Sequence, residues 1–307
     1  MALYVQKGLP AIKTLKAENI FIKEKPDNDE NKLKDKCLNI LILNLMPTKI
    51  ETETQLMRML SGSTCNIDIT FLQTFTYTSK NTASEHLNEF YKFFNDIKIK
   101  DNYYDGMIIT GAPVEHLDFK QVVYWEELCN ILKWANTHVG SIYSICWGAQ
   151  AVLNYYFGIE KQPLSKKMFG VFEHKLINSQ RFNPLCLGFD DAFYAPHSRF
   201  AQVLESDIIK SSDLELIAKS DIAGVHIIAS KDLRIICVTG HPEYDRETLS
   251  KEYFRDIEKG EIIDCPYNYF PQDNPALTPI IRWRAHGSRL FTNWTGIMLN
   301  KNRISNI

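Results

Sequence analysis

The sequence lacks the features that identify secreted, membrane-bound and nucleic-acid-binding proteins. Its formal net charge is only −2 at pH 7, which argues against a nucleic-acid or anionic-membrane partner. No apolar run approaches the length needed to cross a bilayer. The N-terminus lacks the charged-then-apolar order of a secretory signal. We therefore expect a cytoplasmic protein that binds neither nucleic acid nor membranes.

Paired cysteines are also missing. The seven cysteines are scattered and odd in number, and none forms a CxxC pair. This pattern is typical of reduced thiols in the cytoplasm rather than of a disulfide framework or a zinc site, so we expect no metal. The apolar share of 45% and the charged share of 23% are those of a globular protein that buries a full core.

Strand-like and helix-like segments alternate in the first half of the chain. The buried strands are predicted from apolar runs at 38–45, 67–72, 106–110 and 139–145. Apolar residues at helical spacing lie between them, including one helix predicted from Ser84 through Phe94. This alternation indicates a doubly wound α/β sheet with helices on both faces. Closely spaced strand-like runs within 214–239 predict that the second half of the chain forms a mixed sheet.

The domain organisation follows from where the pattern is interrupted. Residues 1–36 are polar and contain Pro10 and Pro26, so we predict an irregular N-terminal arm. Residues 37–300 contain no repeat, low-complexity tract or linker and are predicted to form a single α/β domain. Residues 301–307 are predicted to be a C-terminal tail.

The stretch VGSIYSICWGAQA, residues 139–151, carries the first candidate site. An apolar, strand-like run stops at Cys146, and a helix-compatible run begins at Trp147. Gly148 would let the backbone pass close behind the turn, as in a nucleophile elbow. The N-terminus of the helix would then stabilise a thiolate. A buried structural cysteine in an ordinary strand–helix unit is the alternative, and this stretch alone favours neither interpretation.

A second predicted strand end supplies a base. The run LRIICVT is followed directly by Gly240, His241, Pro242 and Glu243. α/β proteins build their sites at the carboxyl ends of sheet strands. Glu243 is placed to orient the imidazole and select its tautomer. Taken alone, this segment reads as a capped turn with a solvated histidine. Together with the cysteine elbow, it favours a nucleophile, base and orienter formed by Cys146, His241 and Glu243.

The cysteine elbow and the later TGHPE resemble the triad glutamine amidotransferases, which use Cys, His and Glu on a flavodoxin-like sheet. Ser144 departs from the glycine that usually opens their GxCxG elbow. A closer resemblance, to the homoserine O-acyltransferase family, extends from about residue 38 to 295. The motifs that carry it are LNLMPTKIETE (43–53), TGAPVE (110–115), YWEEL (124–128), CWGAQA (146–151), GVFEH (170–174), FDDAFYAPHSR (189–199), TGHPEYD (239–245), CPYNYFP (265–271) and LFTNW (290–294).

The resemblance implies a fold, a reaction and a set of residues. The fold would be flavodoxin-like, as in class I glutamine amidotransferases. The family makes O-succinyl- or O-acetyl-homoserine for methionine biosynthesis. Its acyl-cysteine, proton acceptor and third catalytic position fall on Cys146, His241 and Glu243, and its substrate-binding positions on Lys167, Ser198 and Arg255. The backbone N–H of Trp147 would hold the oxyanion. The resemblance implies L-homoserine and an acyl-CoA as substrates, no metal or other cofactor, and a homodimer.

Glu115 carries the expectation for the acyl donor. In this family the corresponding position is glycine in enzymes that accept succinyl-CoA and glutamate in those that prefer acetyl-CoA. A carboxylate there would repel the terminal carboxylate of a succinyl group and fill its space, whereas acetyl has neither charge nor length. The sequence therefore predicts a homoserine O-acetyltransferase that uses acetyl-CoA.

Three alternatives remain at this point. One is a homoserine O-succinyltransferase. The second is an amidase that uses the same triad on glutamine, which would release ammonia and ignore CoA. The third is a non-catalytic binding protein in which Cys146 is a redox thiol of ordinary reactivity.

Overall fold

The computed structural model of the chain describes residues 1–25, 37–77 and 81–304. The strands are β1 (Leu3–Val5), β2 (Ile22–Glu24), β3 (Cys37–Leu43), β4 (Asn66–Gln73), β5 (Tyr91–Phe93), β6 (Tyr104–Ile109), β7 (Val139–Ile145), β8 (Gln162–Leu176), β9 (Ala192–Gln202), β10 (Leu214–Ser220), β11 (Gly224–Ser230) and β12 (Ile235–Val238). The helices are α1 (Ala11–Ala17), α2 (Lys49–Leu60), α3 (Ser84–Phe90), α4 (Phe94–Ile99), α5 (Trp125–His138), α6 (Trp147–Phe157), α7 (Glu205–Lys210), α8 (Thr248–Glu258) and α9 (Arg284–Ile304).

These strands form one sheet in the order β2-β1-β4-β3-β6-β7-β12-β11-β10-β8-β9, with β5 paired to β4. From β2 to β12 neighbouring strands are parallel, whereas β12 to β9 are antiparallel. The predicted mixed second half is therefore confirmed. The parallel half brings the carboxyl ends of β6, β7 and β12 to adjacent positions at one edge.

Helices cover both faces of the sheet, as the sequence predicts. Alternate residues of β3 point to opposite sides, so Ile40 packs in one apolar cluster and Leu41 in the other. The first cluster includes Leu56 of α2 and Phe291 of α9, and the second includes Ile131 of α5. Within the part of the chain described, no helix is both long and apolar enough to cross a membrane.

The antiparallel half carries a smaller third cluster beside the sheet. It joins Phe169 of β8 to Leu249 of α8 and to Trp283 at the start of α9. The segment around Tyr267 lies against β8, where the Val171 N–H donates to the Tyr267 carbonyl at 2.8 Å. This packing fixes α8 next to the sheet edge formed by β8 and β9.

The prediction of an irregular N-terminal arm is wrong for residues 1–25. Both β1 and β2 join the parallel sheet, with Leu3 opposite Ile67 of β4. Three-residue strands show too little alternation for a sequence pattern, and their stability comes from pairing. Residues 26–36 of the predicted arm lie outside the described residues. At the other end, α9 continues to Ile304 through the start of the predicted tail, and residues 305–307 are not described.

The single helix predicted from Ser84 through Phe94 is also wrong. The chain leaves the helix after Phe90, forms the short strand β5, and re-enters a helix at Phe94. Tyr91 lies opposite Phe71 of β4. Sheet pairing therefore overrides helical spacing at this point, and no glycine or proline marks the break.

Candidate active site

The candidate site lies where three adjacent strands end. β7 ends one residue before Cys146, β12 ends shortly before His241, and β6 leads into the loop that contains Glu115. The Cys146 N–H donates to the carbonyl of Val238 at 2.8 Å, which ties Cys146 to the end of β12. The topology therefore brings the predicted residues together although they are far apart in sequence.

Cys146 occupies a strained turn between β7 and α6. Its backbone has φ 51° and ψ −118°, a conformation that non-glycine residues rarely adopt. At Gly148, a Cβ atom would lie 2.5 Å from the Thr110 carbonyl oxygen, so only glycine lets the helix approach β6 this closely. The predicted elbow is present, and the first N–H groups of α6, including that of Trp147, have no partner within the helix.

His241 lies near Cys146, and its imidazole also contacts Glu243. A Cβ atom added at Gly111 would lie 3.3 Å from Cβ of Cys146 and 3.4 Å from Cε1 of His241, so the two side chains flank this glycine. The His241 Nδ1 atom is 2.7 Å from Oε1 of Glu243. Both side chains are buried. With Nδ1 engaged by the carboxylate, Nε2 is the nitrogen left for proton transfer.

The electrostatics of this group favour an ion pair. Burial opposes protonation of His241, but Cys146 and Glu243 outweigh it and raise the pKa of the imidazole well above its usual value. An imidazolium beside a cysteine stabilises the thiolate, which is the reactive form. The arrangement can therefore place a protonated imidazole beside the Cys146 sulfur.

Glu115 reaches the same point from the loop after β6. Its Oε1 atom lies 3.8 Å from the Cys146 sulfur. Burial raises the pKa of this carboxyl, and the charges of His241 and Lys167 act against that rise. The loop is held by Lys161, whose ammonium donates to the Glu115 carbonyl at 2.6 Å. The carboxyl group thus borders the space next to the Cys146 sulfur.

The three predicted substrate-binding residues lie on α8 or contact its acidic side chains. Lys167 Nζ lies 2.9 Å from Asp256, and Arg255 Nε donates to the same carboxylate at 2.7 Å. Ser198 donates to Glu252. Lys166 precedes Lys167 in the sequence but is placed differently. The Lys166 side chain is 81% exposed and pairs with exposed Asp264, whereas Lys167 is 10% exposed and faces the site.

Glu252 is a site residue that the sequence analysis missed. It accepts hydrogen bonds from Ser198 and, at 3.0 Å, from the Tyr244 hydroxyl, and it lies 3.7 Å from Lys167 Nζ. The Tyr244 ring stacks on His241 with centroids 4.0 Å apart, which connects Glu252 to the triad. Its spacing from Arg255 and Asp256 on one helix face was the available signal.

Ser144, the position that departs from the amidotransferase elbow, lies in the sheet rather than in the site. Its hydroxyl donates to the Ile236 carbonyl at 3.0 Å on neighbouring β12. The hydroxyl is therefore satisfied within the sheet, and the departure leaves the elbow intact.

A family model described as "Homoserine O-succinyltransferase" matches residues 2–303. The chain belongs to this family. The resemblance drawn from the sequence motifs is thereby confirmed.

Curated members of the family are similar over nearly their whole length. The protein named "Homoserine O-acetyltransferase" from Lachnoclostridium phytofermentans is 50% identical, over 96% of this chain and 96% of its own. "Homoserine O-acetyltransferase 1" from Ilyobacter polytropus is 48% identical, over 96% and 95%. The Bacillus cereus protein of the same activity name is 47% identical, over 96% of each chain.

Solved structures show the fold of this homoserine acyltransferase-family chain. A glutamine amidotransferase from Methylobacillus flagellatus superposes with a TM-score of 0.54 at 11% identity, covering 87% of this chain and 95% of that one. A glutamine amidotransferase from Thermotoga maritima gives a TM-score of 0.53 at 10% identity, covering 87% and 98%. The predicted amidotransferase-like α/β fold is confirmed. At these identities the likeness extends to fold alone.

Proposed function

We propose that the protein transfers the acetyl group of acetyl-CoA to the γ-hydroxyl of L-homoserine, giving O-acetyl-L-homoserine and CoA, through an acyl-cysteine intermediate. The observation that carries the proposal is the set Cys146, His241 and Glu243 at adjacent strand ends, with the Glu115 carboxyl 3.8 Å from the sulfur. The curated relatives, which are named homoserine O-acetyltransferases, support the same activity.

The first half-reaction acylates the enzyme. The Cys146 thiolate attacks the thioester carbonyl and forms a tetrahedral oxyanion, which the Trp147 N–H at the start of α6 would stabilise. Collapse of this intermediate breaks the bond to the CoA sulfur. The leaving thiolate takes the proton held by His241, so CoA departs as a thiol and the imidazole becomes neutral.

The second half-reaction transfers the acetyl group. The neutral imidazole of His241 removes the proton of the homoserine γ-hydroxyl as its oxygen attacks the acetyl-cysteine carbonyl. The Cys146 thiolate then leaves, and His241 keeps the proton, which restores the starting ion pair. Glu243 holds the imidazole through Nδ1 in both steps. No cofactor or metal is part of the proposal, because thiolate and imidazole supply the nucleophile and the proton transfer.

The charged residues around α8 match the two ends of an amino acid. Arg255 is half-exposed and Lys167 lies beside it on Asp256, so the pair offers cationic donors for the homoserine α-carboxylate. Glu252 offers a carboxylate for the α-ammonium, and Ser198 orients that carboxylate. Because Tyr244 joins Glu252 to the face of His241, this placement would direct the γ-hydroxyl toward the base.

Acetyl rather than succinyl is the proposed donor. The family model carries the name of the succinyl reaction, whereas the curated relatives carry that of the acetyl reaction. Glu115 favours acetyl, because its carboxyl occupies the space that a longer acyl chain would enter and would repel a terminal carboxylate. A homoserine O-succinyltransferase is the second candidate, since a single residue separates the two. The homodimer and the cytoplasmic location stay predictions, and light scattering tests the dimer.

The deciding experiment is intact-protein mass spectrometry after brief mixing with acetyl-CoA or succinyl-CoA. We expect an acetyl adduct on the wild type, its absence in Cys146→Ser, and its loss when homoserine is added. A succinyl adduct in place of the acetyl adduct would retain the mechanism and reverse the assignment of the donor. No adduct from either donor, together with ammonia release from glutamine, would replace the proposal with the amidase.

A further inference from the structure

Behind the catalytic strands lies a cluster of three buried histidines. His174 of β8, His197 of β9 and His226 of β11 each place a ring nitrogen within 4.8 Å of the other two. Burial lowers the pKa of His174 to about 3 and those of His197 and His226 well below their usual value. All three rings are therefore neutral at pH 7, and nothing in the proposed reaction uses them.

The hydrogen bonds of this cluster are unfavourable for metal binding. Arg199 Nε lies 3.2 Å from His197 Nδ1, and a guanidinium only donates, so Nδ1 is an acceptor. The His197 proton is thus on Nε2, which donates to His174 Nε2 at 3.0 Å. A metal-bound histidine normally donates its other ring N–H. A metal bound to His197 Nε2 would leave the ring proton on Nδ1. That N–H would then face the Arg199 Nε–H and its positive charge.

Arg199 is the unusual member of this group. It is only 1% exposed. Its donors go to neutral acceptors, namely His197 Nδ1 and the carbonyls of Ala201 and Ala223. Among the residues the structure describes, no carboxylate forms an ion pair with it. A buried charge without a counterion is costly, so a group of this kind indicates a role beyond packing.

Two short connections link Arg199 to the catalytic residues. The Ala201 carbonyl accepts from both Arg199 and the Gln150 side chain, and the Gln150 N–H donates to the Cys146 carbonyl at 3.1 Å. On the other side, a Cβ atom at Gly240 would lie 2.9 Å from His197 Nε2, so this ring lies directly against the residue before His241. The backbone from His197 to Arg199 thus borders both halves of the catalytic pair.

The charge of Arg199 acts on the same site. Burial lowers the pKa of its guanidinium to about 10, and the neighbouring Cys146 and Glu115 act against this fall. The group therefore remains charged at neutral pH. In a water-poor interior such an interaction is screened little.

From this geometry we propose that Arg199 is a positioning residue for the acyl transfer, whose buried charge stabilises the Cys146 thiolate and whose bond to His197 fixes the segment that carries His241. The inference rests on the proposed function in that it takes Cys146 as the nucleophile. It adds a cation, distinct from the His241 imidazolium, that makes the thiolate available.

The test is the pH dependence of Cys146 alkylation by iodoacetamide, which needs no acyl donor. Each rate is read by mass spectrometry at Cys146, with Cys146→Ser as the blank. We expect Arg199→Met to raise the apparent pKa of alkylation by about one unit. In Arg199→Lys this pKa should return most of the way to the wild-type value. Arg234→Met is the matched control, because Arg234 also donates to backbone carbonyls but near the start of β7. Its alkylation profile should equal that of the wild type.

The outcomes separate this inference from the proposed function. An unchanged profile in folded Arg199→Met would overturn the role of Arg199 while leaving the acyl-enzyme result intact. If Arg199→Met does not fold, its pH profile is replaced by that of Arg199→Gln, which keeps amide donors without the charge. Failure of both neutral variants to fold would make Arg199 a structural residue and also overturn the inference. Stoichiometric zinc in the purified wild type, lost in His174→Ala, would replace it with a metal site.

Discussion

The Glu115 carboxyl approaches the Cys146 sulfur to 3.8 Å, within the space that an acyl group on that sulfur must share. We therefore expect any group attached to the sulfur to be selected by both the charge and the volume of this side chain. The two contributions are separable by substitution, because glutamine keeps the volume and removes the charge, whereas glycine removes both.

Substitutions at Glu115 should change the acyl donor in two steps. We expect Glu115→Gln to raise kcat/KM for succinyl-CoA by about tenfold, since charge repulsion is lost, and Glu115→Gly to raise it further by opening space. Steady-state kinetics with both donors measure the ratio. Glu160→Gln, which alters an exposed glutamate, is the control. Equal donor ratios in the wild type and Glu115→Gly would show that Glu115 does not select the donor.

Replacing Glu243 by glutamine should reduce both activity and stability, with a defined pH dependence. The folded pKa of His241 is raised above its unfolded value. The stabilisation from its ion pair is therefore complete below about pH 6.5 and is lost as the pH rises through the folded pKa. We expect Glu243→Gln to be about 1–3 kcal/mol less stable at pH 6 and closer to the wild type at alkaline pH. Urea unfolding across this range measures the difference, and a difference independent of pH would contradict this account.

Gly148 should tolerate no side chain. In Gly148→Ala the new methyl group would meet the Thr110 and Ile109 carbonyl oxygens at 2.5 and 2.9 Å. We expect a loss of about 1–3 kcal/mol in unfolding free energy and a larger loss of activity, because the helix after Cys146 must move. Gly296→Ala is the matched control in α9, since among the described residues no atom beyond its chain neighbours and the nearby helix backbone lies within 4 Å of its added methyl group. That variant should gain about 0.5–1 kcal/mol from helix propensity. Similar stability of the two variants would refute the packing argument.

Lys49 should make stability depend on pH in the alkaline range. It is 6% exposed, and burial lowers the pKa of its ammonium to about 8, while Glu53 partly offsets this fall. An unfolded lysine titrates near about 10.4, so the unfolded state binds more protons between these values. The wild type should therefore gain about 1–3 kcal/mol relative to Lys49→Met as the pH rises from about 8 to about 10.4. Paired urea titrations measure this gain, and a constant difference between the two proteins would argue against the buried charge.

The elements and site residues predictable from sequence are those for which one physical signal is strong. The apolar run that begins at Leu38 predicted a buried strand, and it forms β3. The elbow at Cys146 and the turn at His241 were identified because each follows such a run, and parallel topology then places them together. Residues of this kind are predictable, since a strand end and a reactive side chain occupy neighbouring positions in the sequence.

The features that the sequence did not predict share a different cause. β1 and β5 are three residues long and exist because β4 offers a partner, which no local pattern reveals. Arg199 was not identified because arginine is usually exposed. Its burial depends on carbonyls of Ala201 and Ala223 that only the folded sheet assembles. Features created by contacts between distant segments therefore leave no local pattern in the sequence.

The placement of β1 also has a consequence for biosynthesis. Its partner β4 begins more than 60 residues later in the chain, and the Ala2 N–H bonds to Asn66 at the start of that strand. A ribosome releases the first segment well before this partner. The apolar residues Leu3 and Val5 are then exposed to other chains until β4 emerges. The early nascent chain is therefore the stage at which chaperone binding would protect this protein from aggregation.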